Sequence, residues 1–251
     1  MRISHLTNSF ICIESEGFKL LTDPWTGSAN YGGWVSLPEV PEERLHDVFN
    51  NVDAIYISHL HSDHFCPAVL TKYAGRDTPI YIKNFEQKTV RSRLQKLGFE
   101  KIYEIDPWVL CSIGPLELVV VPQVETNSAG LIDELDYDLD TSVIIRGKSV
   151  DKVFFHKVDN PLSTESLKQV SRFCVEHFGR TPDVVTLTCG AASEWPQCFP
   201  QLDRPLARDE FIKKCLKELR SNAEALSAKH IIPGGGRYAI SGRFSNLNRF
   251  V

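Results

Sequence analysis

The chain has 251 residues, 42% of them hydrophobic, and a formal net charge of -4. That length and apolar content support a full core within one large α/β domain, 1–251, and the negative balance gives no electrostatic pull toward nucleic acid or an anionic membrane. No apolar stretch approaches the roughly 20 residues that would span a bilayer, and seven cysteines with no close pair argue against a disulfide framework, so a cytoplasmic protein is expected.

Apolar and β-branched runs at 2–6, 10–14 and 18–21 predict a short antiparallel meander. Residues 41–49 read as a helix with Pro41 at its start and acids in its first turn. A buried strand follows at 53–57, then a helix at 67–73 and a strand at 80–82. Residues 87–97 form a basic amphipathic helix stopped by Gly98. Strands are expected at 116–121, 141–145 and 150–159, the last ending in Asp159, and a helix capped by Ser163 carries Leu167, Val170, Phe173, Cys174 and His177 at helical spacing. After a buried strand at 183–187, residues 207–230 contain a long helix on which Phe211, Cys215, Leu216, Leu219 and Leu226 make one apolar stripe. Strands followed by helices, twice over, predict two mixed sheets facing each other with helices outside.

The strand at 53–57 runs into Ser58-His59-Leu60-His61-Ser62-Asp63-His64. Residues two apart on an extended segment face the same way, so His59 and His61 can address one ion while the turn carries Asp63 and His64 toward a second. Neutral imidazole with carboxylate is a ligand set for zinc, iron or manganese. A single histidine usually needs no metal, but four such polar groups packed together would otherwise lack partners. Cys66, two residues on, reads as a small buried hydrophobe.

His59 to His64 meets the His-x-His-x-Asp-His signature in full, and here the chain resembles the metallo-β-lactamase superfamily. The opening run 3–14 with Leu20-Leu21-Thr22-Asp23-Pro24-Trp25 resembles the branch of ascorbate-phosphate lactonases, N-acylethanolamine-releasing phospholipases and CMP-sialic acid hydroxylases, and 190–196 resembles a loop of those hydroxylases. The resemblance implies an αββα sandwich and Asp159 as a metal-bridging carboxylate. It also implies a histidine where this chain has Asn8, and a third histidine four residues ahead of the Asp140-Thr141 pair, where this chain has Asp136. Either Asp136 is a carboxylate substitute in the first metal site or that site is degraded; substitution would tilt the preference from zinc toward iron or manganese. The stretch 231–238, in place of a loop that supplies a last histidine, offers none. His156 lies on the opposite pleat parity from Asp159 and reads as a strand histidine held by a neighbouring backbone group.

One or two divalent ions held by His59, His61, Asp63, His64, Asp136 and Asp159 would make bound water reactive near neutral pH. The expected function is therefore a metal-dependent hydrolase acting on an ester, lactone, amide or phosphoester, with Asp63 as ligand and proton shuttle. Two alternatives stand beside it: an iron-dependent oxygenase related to the sialic acid hydroxylases, and a non-catalytic binder with a degenerate site. The chain carries no Cys-x-His with a later Cys-x-x-His of the kind a Rieske cluster uses. A small-molecule substrate is expected, with room for a homo-oligomer or a partner protein that delivers electrons. Trp25, Trp34 and Trp195 fall on loops near the motif, where aromatic residues more often pack than bind substrate.

Overall fold

The computed structural model describes residues 1–124, 140–190, 195–235 and 238–250. β1 (Arg2–Thr7), β2 (Phe10–Ser15) and β3 (Phe18–Thr22) form an antiparallel meander. A short hairpin of β4 (Ser28–Ala29) and β5 (Trp34–Ser36) follows. Next come α1 (Glu42–Phe49), β6 (Ala54–Tyr56), α2 (Pro67–Tyr73), β7 (Ile80–Lys83), α3 (Thr89–Lys96) and β8 (Ile102–Ile105). β9 (Leu110–Ile113), β10 (Leu116–Pro122), β11 (Thr141–Gly147) and β12 (Lys152–His156) make a second meander. α4 (Thr164–Phe178), β13 (Val184–Thr188), α5 (Arg204–Leu226), β14 (His230–Gly234) and β15 (Tyr238–Ile240) complete the order.

Two mixed six-stranded sheets result, in the orders β1-β2-β3-β6-β7-β8 and β14-β13-β12-β11-β10-β9, with a small third sheet β15-β5-β4. Side-chain parity explains why the large sheets stack. Ile11 and Ile13 of β2, Leu118 and Val120 of β10 and Phe154 of β12 all enter one cluster between the sheets. Their neighbours Phe10 and Cys12 face a cluster shared with α1, α2 and α3, while Val119, Val121, Val153 and Phe155 face α4 and α5. Strands buried on both faces read as continuous apolar runs, which is the pattern of β10 and β11. Each fully buried Leu, Ile or Phe contributes about 1.5–3 kcal/mol. The layers are helix, sheet, sheet, helix: the expected αββα sandwich.

Several local expectations need correction. The strand expected to end at Asp159 stops at His156, and Val158 takes a left-handed φ of 55°, so Asp159 lies beyond a kink. Residues 231–234, read as part of a loop, and His230, placed in the helical stretch, form β14, parallel to β13. The long helix begins at Arg204, with Asp203 accepting from the Leu206 N–H, and ends at Leu226. Its apolar stripe is only half used: Leu226 is fully buried and Leu219 packs on the core, but Leu216 is 54% exposed. Helical periodicity identifies an apolar face without saying that anything lies against all of it.

Candidate metal centre

β6 is flanked on both sides by parallel strands, β3 and β7, so its carboxyl end opens the crevice where α/β sheets place their ligands. Ile57 and Ser58 are fully buried as the strand ends, and His59 and His64 are buried completely, while His61 and Asp63 turn outward. The second sheet meets this loop from the other side. β11 and β12 are antiparallel, which brings the residue before β11, Asp140, and the segment after β12, with Asp159, to the same edge.

The result is two groups of three ligand-bearing side chains: His59, His61 and Asp140, and Asp63, His64 and Asp159. In the first, His59 Nε2 lies 2.8 Å from His61 Nδ1 and 3.0 Å from Asp140 Oδ1. In the second, His64 Nε2 lies 3.2 Å from Asp159 Oδ2 and 3.6 Å from Asp63 Oδ2. The rings of His59 and His64 are 4.2 Å apart, so the groups adjoin.

A buried hydrogen-bond chain sets the imidazoles. The Ser58 hydroxyl donates to Asp23 Oδ2 at 2.6 Å and is 2.9 Å from His59 Nδ1. Its one proton is committed to Asp23, so it must accept from His59 Nδ1–H, which leaves the Nε2 lone pair facing Asp140. On the other side, His64 Nδ1 donates to the same Asp23 oxygen at 2.9 Å. Asp23 is fully buried and also accepts from the Ser58 N–H at 2.7 Å. Thr141 fixes the approach of the second sheet: its hydroxyl donates to the Ser58 carbonyl at 2.8 Å and meets the Tyr56 hydroxyl at 2.7 Å.

This arrangement fits metal ions. Asp140 Oδ1 is buried with no hydrogen-bond partner, and the nearest His59 nitrogen presents a lone pair, so two electron-rich atoms meet at 3.0 Å where a cation would satisfy both. The electrostatics agree. Burial, followed by the charges of His64 and His61, holds His59 well below its ordinary pKa, in the neutral ligand form. Burial and the neighbouring Asp159 push Asp140 up to about 6. Burial disfavours the His64 cation, yet Asp159 and Asp63 overcome it and hold its pKa well above normal. Asp159 is depressed below the usual carboxylate range because the charge of His64 and the hydrogen bond between them outweigh burial. The second group thus demands positive charge among its members.

Asp136 falls in 125–139, outside the described residues. Among the described residues, the side chain completing the His59 and His61 group is Asp140, which the sequence offered only as a landmark. Asp23 is likewise unmarked as a functional residue in the sequence; its signal is an acidic residue closing an apolar strand just before a proline. Asn8 donates to Asp63 Oδ2 at 3.2 Å. His156 stands apart: buried, it meets Thr186 Oγ1 and the Ser9 carbonyl, and burial pulls its pKa down to about 4.

Over both groups opens a cleft of about 600 Å³, lined by His61, Asp63, Asp140, Asp159, Trp34 and Tyr238 among others. Trp34 and Tyr238 stack, with ring centroids 5.2 Å apart. Trp25 is wholly buried, and Trp195 packs against Phe199 outside the cleft lining.

Residues 2–143 match the beta-lactamase superfamily domain, more than half of the 251-residue chain. The cytidine monophosphate-N-acetylneuraminic acid hydroxylase of Macaca mulatta is 31% identical over 209 residues, which cover 79% of this chain and 31% of that protein. A putative Rieske 2Fe-2S iron-sulfur protein of Mycolicibacterium smegmatis is 29% identical over 48% of this chain and 24% of its own length. The chain therefore spans about a third or less of these curated relatives. Among solved structures, CmlA, a diiron beta-hydroxylase from Streptomyces venezuelae, superposes with a TM-score of 0.62 at 19% identity, covering 98% of this chain and 48% of CmlA. An isothiocyanate hydrolase from Delia radicum gut bacteria superposes with a TM-score of 0.63 at 16% identity, covering 100% of this chain and 91% of that one. The sandwich, the His-x-His-x-Asp-His loop at its edge and the domain match together make this chain a member of the metallo-β-lactamase superfamily.

Proposed function

We propose that the protein is a two-iron, oxygen-dependent hydroxylase of small molecules. The observation that carries this reading is Asp140: with it the first group becomes two histidines and one carboxylate, the set favoured by oxygen-activating non-haem iron. Across both groups the count is three imidazoles and three carboxylates, harder than a histidine-rich zinc site. The hydroxylase names of the curated relatives and the diiron neighbour support the same chemistry.

His59, His61 and Asp140 would hold one iron and Asp63, His64 and Asp159 the other, with the Asp159 charge acting on members of both groups. The ions would supply oxygen activation, with dioxygen, two electrons and two protons converting a substrate C–H to C–OH and releasing water. The electrons must come from a separate donor protein or domain. The chain's own share is positional: Ser58 and Asp23 fix both buried imidazoles, Asn8 orients Asp63, and Asp63, at the cleft surface, carries protons to and from it. The cysteines are unpaired, which supports work in the cytoplasm. No helix among the described residues is long and apolar enough to cross a membrane.

Hydrolysis by metal-activated water is the second reading, favoured by the open cleft over the ligands and by the hydrolase neighbour. Metal analysis of protein purified without added metal, paired with its visible spectrum, separates the two. About two irons per chain with visible absorption and oxygen uptake on reduction are expected. Two zinc ions and a colourless protein would overturn the hydroxylase reading in favour of hydrolysis.

A further inference from the structure

The small sheet β15-β5-β4 stands apart from the two large ones, and its side chains contribute little to the main core: Trp34, Val35, Tyr238, Ala239 and Ile240 are all only half-buried. Its register pairs Ile240 with Trp34 and Tyr238 with Ser36, so Trp34 and Tyr238 are diagonal neighbours on one face. Their rings stack with an interplanar angle of 15°. Both rings line the same cleft as His61, Asp63, Asp140 and Asp159.

The sheet is tied to the metal loop. The Asn30 N–H at the tip of the β4–β5 hairpin donates to Ser62 Oγ at 2.8 Å, within the His-x-His-x-Asp-His segment. Farther back, the Ser36 hydroxyl accepts from the Gly27 N–H at 2.9 Å, and the Ser241 N–H donates to the Gly33 carbonyl at 3.0 Å. The aromatic pair is therefore held in fixed relation to the ligands. The other described tryptophans lie elsewhere: Trp25 is enclosed in the core, Trp108 packs on Phe173, and Trp195, partly exposed, packs on Phe199. Partly exposed aromatic pairs also occur away from the cleft, as with Tyr81 and Tyr103; this pair is set apart because it faces a cleft beside the ligands that is large enough for a small molecule with a ring and further groups.

Given the reading of the cleft as the reactive centre, on which this inference rests, we propose that Trp34 and Tyr238 form the wall that selects the substrate. The substrate class is a small molecule carrying a flat aromatic or heteroaromatic ring beside the group that reacts. Flat rings gain from offset stacking on other rings beyond the area they bury, and a rigid pre-stacked pair offers that surface without first being ordered.

The test is calorimetric titration of the metal-loaded protein with three carboxylates: benzoate, cyclohexanecarboxylate and acetate. Benzoate should bind about tenfold tighter than acetate and about threefold tighter than cyclohexanecarboxylate. Trp34→Ala and Tyr238→Ala should each remove most of the benzoate advantage while leaving acetate affinity and metal content unchanged. Trp34→Phe should keep most of it, and Trp195→Ala, outside the cleft lining, should keep all of it. Equal binding of benzoate and cyclohexanecarboxylate, or a preference untouched by both Trp34→Ala and Tyr238→Ala, would overturn the proposal. Metal content is read on the same samples. A protein that took up no metal yet discriminated the ring would sink the metal reading and leave the aromatic wall standing.

Discussion

The two ligand groups draw on the same loop, 58–64, and each takes one carboxylate from the second sheet, yet they differ in charge. The first has two imidazoles and one carboxylate, with His61 half-exposed; the second has one imidazole and two carboxylates around the fully buried His64. A group with more negative charge binds its ion more tightly but also depends more on it, because its carboxylates repel when the ion leaves. The first group should be the exchangeable one, although both groups reach the cleft, through His61 and Asp140 and through Asp63 and Asp159.

Substitutions can break this contrast. The largest effect is expected for Asp159→Ala: the Asp159 charge is felt at His59, His64 and Asp140, so metal affinity should fall by more than about a hundredfold at both groups. His61→Ala should instead lose one ion and keep the other. Elemental analysis after dialysis reads both, and two retained ions in Asp159→Ala would refute the shared role. Next comes Asp140→His, which softens only the first group. Competition between zinc and iron should shift toward zinc by about tenfold, roughly 1.4 kcal/mol, and an unchanged ratio would count against Asp140 as a ligand. The smallest effect belongs to Asn8→Ala. Losing one hydrogen bond to Asp63 should weaken only the second group, about fivefold, near 1 kcal/mol, seen as a second-ion binding curve displaced while the first stays put.

Much of this was legible because it is local. The spacing of His59, His61, Asp63 and His64 is visible without any tertiary knowledge, and the apolar runs of β10 and β11 announce strands covered on both faces. Asp140 was not legible, because its partners His59 and His61 are some eighty residues away and are met only when β11 and β12 bring one edge of the second sheet against the loop. The segment around it invited Asp136 by family spacing alone. Asp23 escaped for the same reason: its hydrogen bonds to Ser58 and His64 span 35 and 41 residues. The sheet bearing Trp34 and Tyr238 was invisible because strands of two or three residues leave no periodic trace. The stripe on α5 shows the opposite failure, a clear period whose outer half has little packed against it.

Asp23 carries one further consequence. A single carboxylate oxygen accepts from both Ser58, which steadies His59, and from His64, so the two halves of the centre share one hinge pin. Both rings are thereby oriented by the protein itself, and any disturbance of that carboxylate reaches the two halves at once. Asp23→Ala should accordingly weaken the hold on both ions together, whereas His61→Ala and Asn8→Ala each act on one group.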